Sequence, residues 1–150
     1  MKILSELIKP TDKQREFLRT VKEKLYTLYG GAAGGGKSYI LRWTLVYLLI
    51  KWAKEGHKNV RVGLFCEDYP SLTDRPLKRI EIEFPSWLGT YRKPDRAFVL
   101  SPRFGSGMIS FRNLDNPSKY LSSEFAAIGI DELTMNPSRE VFDFLRMRLR

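Results

Sequence analysis

Gly31-Ala32-Ala33-Gly34-Gly35-Gly36-Lys37-Ser38 satisfies the pattern G-x-x-x-x-G-K-[ST] at every fixed position. Five of the chain's 11 glycines fall between residues 30 and 36. Glycine gives up more conformational freedom on folding than any other residue, so such a cluster calls for a reason. The reason this pattern offers is a phosphate. Small residues let successive backbone N–H groups turn inward around an anion, and a helix that follows adds its dipole and its free N–H groups. Lys37 would reach the β and γ phosphates of a nucleotide, and the Ser38 hydroxyl would ligate Mg²⁺. Tyr39 follows directly and joins the nucleotide-contacting set with Gly31, Ala32, Ala33, Gly34, Gly35, Gly36, Lys37 and Ser38.

A phosphate loop of this kind needs carboxylates on a second strand. "AAIGIDE" supplies them, because Asp131 and Glu132 end a hydrophobic run. Asp131 would hold the metal, directly or through water. Glu132 would orient and deprotonate the attacking water, which is a task of geometry more than of covalent chemistry. The adjacent acidic pair favours ATP hydrolysis over GTP signalling. "NPSK" at 116–119 does not match the guanine-reading N-K-x-D, and it precedes the acidic strand. Glu67 and Asp68 form a rival pair after another strand, where capping a helix N-terminus accounts for them better.

Alternating strands and helices must position these groups. "TDKQREFLRTVKEK" reads as an amphipathic helix capped by Thr11 or Asp12. "LYTLY" is a β-rich run predicted to enter the glycines as a strand. Residues 37 to about 54 form an apolar helix closed by Gly56. "NVRVGLFCE" and "FAAIGIDEL" have the nearly continuous apolar character of strands inside a parallel sheet. A helix is predicted from about Ser71 to Glu83, two strands about the Gly-Ser-Gly turn in "AFVLSPRFGSGMISFRNL", and a helix in "PSREVFDFLRMRLR" with Pro137 near its start. The fold class is therefore α/β, with a mainly parallel central sheet flanked by helices. The chain stops inside the last predicted helix with no capping signal after Arg150, so it reads as a piece of a longer protein.

The bulk properties agree with this frame. A chain of 150 residues with 43% hydrophobic residues can bury one domain's core. A formal charge of +9 suggests a polyanionic partner, nucleic acid first. Cys66 is the one cysteine, so no internal disulfide forms, and its apolar surroundings make it a buried structural thiol. The N-terminus has no signal-peptide pattern. "YILRWTLVYLLIKWA" is interrupted by Arg42 and too short to span a bilayer, so no membrane partner is expected. His57 has no partners for a metal site, and Trp43, Trp52 and Trp87 read as core or interface residues.

With those residues in view, the chain resembles the large terminase subunit, the DNA-packaging motor ATPase of tailed double-stranded DNA phages. Beyond the glycine loop and acidic strand, the resemblance rests on three stretches. They are "KPTDKQREFL", "GSGMISFRNLDNPSKY" and "DELTMNPSREVFDFLRMRLR". It implies a P-loop NTPase fold of the ASCE type, with residues 1–150 the first part of the ATPase domain. The rest of that domain and a nuclease domain would lie beyond residue 150. It also implies that Gln14 reads the adenine edge, which a carboxamide does by donating and accepting together. The partners it implies are double-stranded DNA, a homo-oligomeric ring on the portal and the small terminase subunit. The setting would be the host bacterium's cytoplasm, with transient docking on the procapsid.

One departure from the family pattern concerns charge. Many relatives carry an arginine inside the phosphate loop, where this chain has alanine and glycine. The neutralising charge would then come from elsewhere, and Arg139, just past the acidic strand, is the candidate arginine finger reaching into a neighbouring subunit. Arg146, Arg148 and Arg150 compete with it. Arg42 lies one helical turn beyond Ser38 on the same face. It would either sense the γ-phosphate, pair with Asp131 or Glu132, or form a structural ion pair. The expected function is an ATPase that translocates duplex DNA into a capsid. The alternatives are a helicase-like translocase, since "DELT" resembles a helicase acidic box, and a nucleotide-binding scaffold with little turnover.

Overall fold

The structure, a computed structural model, describes residues 7–30, 36–66, 78–113 and 124–131, together with Asp143, Arg146, Met147 and Leu149. Helix α1 spans Asp12–Glu23. Its start is fixed by a reciprocal cap: Gln14 N–H donates to Thr11 Oγ1 at 3.3 Å, and Thr11 N–H donates to Gln14 Oε1 at 2.9 Å. The helix ends at Lys24, which turns to extended backbone. Phe17 is its main apolar anchor, and the ring meets Tyr29 edge-on with centroids 5.3 Å apart.

Helix α2 spans Lys37–Lys54. Its buried residues run nearly all round the helix, Ile40, Trp43, Leu45, Val46, Leu49 and Ile50 among them, as expected of a helix covered on most sides. Lys51 and Lys54 place positive charge in the last turn, where the helix dipole favours it. Gly56, at φ +96°, ends it as the sequence suggested. No helix among the described residues is long and apolar enough to cross a membrane.

The remaining elements are β1 (Arg61–Cys66), α3 (Lys78–Glu83), β2 (Gly89–Arg92), β3 (Ala97–Leu100), a 3₁₀ turn at Pro102–Phe104, β4 (Met108–Asn113) and β5 (Ala127–Ile130). They build a five-stranded sheet in the order β2-β3-β4-β1-β5. Strand β1 pairs in parallel with β4 on one side and β5 on the other. Strands β2 and β3 join as an antiparallel hairpin, and β3 pairs antiparallel with β4. The architecture is α/β, but the sheet is mixed instead of mainly parallel. The reason is local: β2 and β3 follow each other across a short turn, which reverses the chain, and no crossover of the kind a parallel pair needs lies between them.

A second correction concerns "LYTLY". Residues 25–29 form no strand, and Leu25 and Leu28 are each 79% exposed. β character in a sequence needs a pairing strand to be realised, and no described strand pairs with this run. Tyr29, packed on Phe17, holds it against α1 instead. The Gly-Ser-Gly turn is likewise longer than expected. It includes the 3₁₀ turn, and Gly105 and Ser106 both adopt left-handed backbone. Of the helix expected from Ser71 the structure describes Lys78–Glu83, and most of the last predicted helix lies outside the described residues.

The core lies between α2 and the sheet. Trp43, Val46, Leu49 and Ile50 meet Val62, Leu64, Ile109 and Phe111, with Phe84, Leu88 and Phe98 closing the side under the hairpin. Cys66 is buried in this core. On the opposite face Phe65 packs edge-on against Phe125, with centroids 5.8 Å apart.

Candidate functional site

The direction of α2 decides where its first turn lies. Near that end, Leu41 meets Gly129 of β5, where an added Cβ would fall 2.9 Å from Leu41 Cδ1. Further along, Leu49 meets Gly107 and Ala53 meets Gly105, both just before the start of β4. Helix α2 therefore runs opposite to the parallel strands β1, β4 and β5. Its N-terminus, with Gly36, Lys37 and Ser38, comes out over the carboxyl edge of the sheet, where open α/β sheets bind ligands.

Asp131 occupies the same edge. It follows the last residue of β5, its N–H donates to Phe65 O at 2.9 Å, and it is 8% exposed. Among the described residues no donor hydrogen-bonds to its carboxylate. A buried carboxylate placed in this way is suited to a hard cation, which selects oxygen ligands. Ser38, in the first turn of α2, is the second oxygen-bearing residue at this edge.

Gly36 is the hinge between loop and helix. It sits at φ +69°, ψ +24°, left-handed backbone that glycine adopts without strain. Its carbonyl accepts two hydrogen bonds, from Ile40 N–H at 3.0 Å and from Gln14 Nε2 at 3.1 Å. An added Cβ at Gly36 would stand 2.4 Å from Gln14 Nε2, so both conformation and approach call for glycine.

Gln14 is 4% exposed, and its carboxamide is committed at both ends, to Thr11 N–H and to Gly36 O. One N–H and one Oε1 lone pair remain. The residue expected to read a base thus also braces Gly36, the last residue of the glycine-rich run. Lys13 adds a second tie, its Nζ donating to Gly30 O at 3.0 Å and lying 5.3 Å from the Tyr29 ring centroid.

Arg42 is 4% exposed and engaged by Glu83 of α3 through two hydrogen bonds, Nε to Oε2 at 2.8 Å and Nη2 to Oε1 at 2.6 Å. Among the described residues Arg42 forms the structural ion pair that the sequence left open. Its partner is Glu83 and not Asp131. The Tyr39 phenol lies near the same pair. Burial first, and the Glu83 charge second, raise its pKa above the usual value, while Arg42 pulls the other way.

Gln14, Gly36, Lys37, Ser38 and Tyr39 are thus gathered around the start of α2, with Asp131 on the same edge and Arg42 turned toward α3. Gly31, Ala32, Ala33, Gly34, Gly35, Glu132, Arg139, Glu67 and Asp68 lie outside the described residues. Two features escaped the sequence reading. The T-x-x-Q spacing of Thr11 and Gln14 is a legible capping-box signal. Glu83 as the partner of Arg42 carries no local signal at all. Compared with protein-family models, curated proteins and solved structures, the chain matches none.

Proposed function

We propose that this chain is the nucleotide-binding part of a DNA-packaging ATPase of the large terminase type, with a P-loop NTPase fold. The observation that carries the reading is the G-x-x-x-x-G-K-S pattern at the head of α2, with Gly36 left-handed and the helix N-terminus on the sheet's carboxyl edge beside Asp131. Residues 31–38 would cradle the phosphates of ATP. Lys37 would supply positive charge to the terminal phosphates, and Ser38 with Asp131 would hold Mg²⁺. A bound Mg²⁺ would neutralise phosphate charge as the bond to the leaving group breaks. Glu132 would align and deprotonate the attacking water, and Arg139 of an adjacent subunit would bring the remaining charge. Gln14 would present its free N–H and lone pair to adenine while keeping its hold on Gly36.

The partners in this reading are duplex DNA, further copies of the chain in a ring on the portal, and a small terminase subunit, within the host cytoplasm. A titration with a fluorescent ATP analogue, followed by ATP hydrolysis with and without duplex DNA, tests it. The expected result is Mg²⁺-dependent binding, weakened at least tenfold by Lys37→Ala, with Asp131→Asn removing the Mg²⁺ dependence and leaving the fold intact. Binding that ignores both substitutions would overturn the reading. Unwinding of a forked duplex would move it to a helicase-like translocase, and binding without turnover in the intact, longer protein would move it to a scaffold.

A further inference from the structure

The β2–β3 hairpin ends in a turn that is costly to build and strongly basic. Its loop is Lys93-Pro94-Asp95-Arg96, closed by Arg96 N–H donating to Lys93 O at 3.2 Å. Proline at the second position suits such a turn. Arg96 does not suit its place: at φ +47° it occupies left-handed backbone, where glycine or asparagine is the usual choice. Strained non-glycine backbone tends to accompany function.

The strain is held in place from β4. Arg112 Nη1 donates to Asp95 O at 3.2 Å and to Arg96 O at 3.3 Å, while Phe111 N–H donates to Arg96 O at 2.9 Å. With its backbone fixed in this way, the tip exposes Arg92, Lys93 and Arg96 against one acid, Asp95. The hairpin's rings are turned to the protein: half-buried Tyr91 leans on Phe111 with centroids 6.2 Å apart, and Phe98 is buried.

The tip also faces the right way. Arg96 O bonds Phe111, Phe111 is level with Leu64 of β1, and Leu64 with Gly129 of β5, two residues before Asp131. The tip therefore stands on the same carboxyl edge as Asp131 and the start of α2. Three strand spacings separate it from β5, about 14 Å.

We infer that the β2–β3 tip binds the phosphate backbone of duplex DNA, with Arg92, Lys93 and Arg96 as its charges and Arg112 as the positioning residue. The choice of DNA as polyanion rests on the motor reading above. Cations without stacking rings suit a duplex backbone, whereas single strands are usually held by aromatic platforms.

The test is fluorescence anisotropy of the chain with a labelled duplex of arbitrary sequence, over a range of salt, alongside a single strand of equal length. Arg92→Gln/Lys93→Gln/Arg96→Gln is expected to bind duplex at least tenfold more weakly. The slope of log affinity against log salt should become shallower by about two to three, close to one unit for each phosphate that the variant no longer neutralises. Binding of the ATP analogue should not change. Arg96→Gly guards against misfolding, because it removes a charge and relieves the backbone, so it should weaken DNA binding while raising the melting temperature. Unchanged duplex affinity and slope in the triple variant, no duplex binding by the wild type, or a preference for the single strand would each overturn the inference. Lys37→Ala separates the two claims: ATP binding that survives it defeats the nucleotide reading, even where the triple variant loses DNA.

Discussion

Gln14 Nε2 donates to the carbonyl of Gly36 at 3.1 Å, across 22 residues of chain, while Gln14 Oε1 caps the helix on which Gln14 itself stands. One side chain therefore welds the start of α1 to the start of α2. The two functions can be separated by substitution. Gln14→Glu keeps an acceptor for Thr11 N–H but sets a carboxylate against the Gly36 carbonyl. Gln14→Ala removes both bonds and leaves Thr11 N–H without its cap. We expect Gln14→Ala to lose about 1–2 kcal/mol in chemical denaturation. Gln14→Glu should weaken binding of the ATP analogue even where α1 stays intact by circular dichroism.

Gly36→Ala is expected to be worse than a helix-start alanine elsewhere. The left-handed backbone alone costs an L-residue about 1–2 kcal/mol, and the new methyl would collide with Gln14. Pairing it with Gln14→Ala removes the collision but not the backbone strain. The double variant should therefore be more stable than the sum of the two singles indicates, which a double-mutant cycle by denaturation would read directly.

Arg42→Ala would leave Glu83 nearly buried and without its partner. Removing one member of a buried ion pair costs about 3–5 kcal/mol, whereas replacing both with apolar residues is often close to neutral. We expect Arg42→Ala to lower the melting temperature by many degrees and Arg42→Met/Glu83→Leu to recover most of it. If the double variant also retains ATP-analogue affinity, Arg42 has no part in holding the nucleotide.

Tyr39 provides a pH signature. Burial raises the phenol above its ordinary 10.0, so the folded chain holds that proton more tightly than the unfolded chain does. The stability this contributes is fully present below pH 10 and is lost as pH rises through the folded value. Melting curves taken between about pH 8 and 11 should fall more steeply for the wild type than for Tyr39→Phe.

Much of this frame was legible in the sequence, and the limits have physical causes. Helix α1 announced itself through Thr11 and its periodic apolar residues, α2 through an uninterrupted apolar run between Lys37 and Gly56. Strand β1 was equally plain, since a strand covered on both faces is apolar throughout, and β5 carries the same apolar run although it is half-buried at the end of the described sheet. Residues 25–29 have the composition of a strand, but pairing depends on a neighbour that no local pattern reveals. Strand β2, Gly89–Arg92, is a short edge strand without alternation and gave no signal. Within the site, spacing alone placed Gly36, Lys37, Ser38 and Asp131 at one sheet edge. The Arg42–Glu83 pair joins residues 41 positions apart, and only the packing of α3 on α2 brings them together.

Helix α2 is seated tightly at both ends. At the front, Gly36 abuts Gln14; at the rear, a Cβ on Gly105 would stand 2.4 Å from that of Ala53. Between the two seats lie 18 helical residues, about 27 Å of rod whose middle is packed against the sheet. A rod held in this way has no room to slide. A push delivered along its axis at Lys37 would arrive at the turn before β4, on the far edge of the sheet. The helix that would receive the phosphates is thus also placed as a strut, through which a small displacement at one rim would be carried to the other.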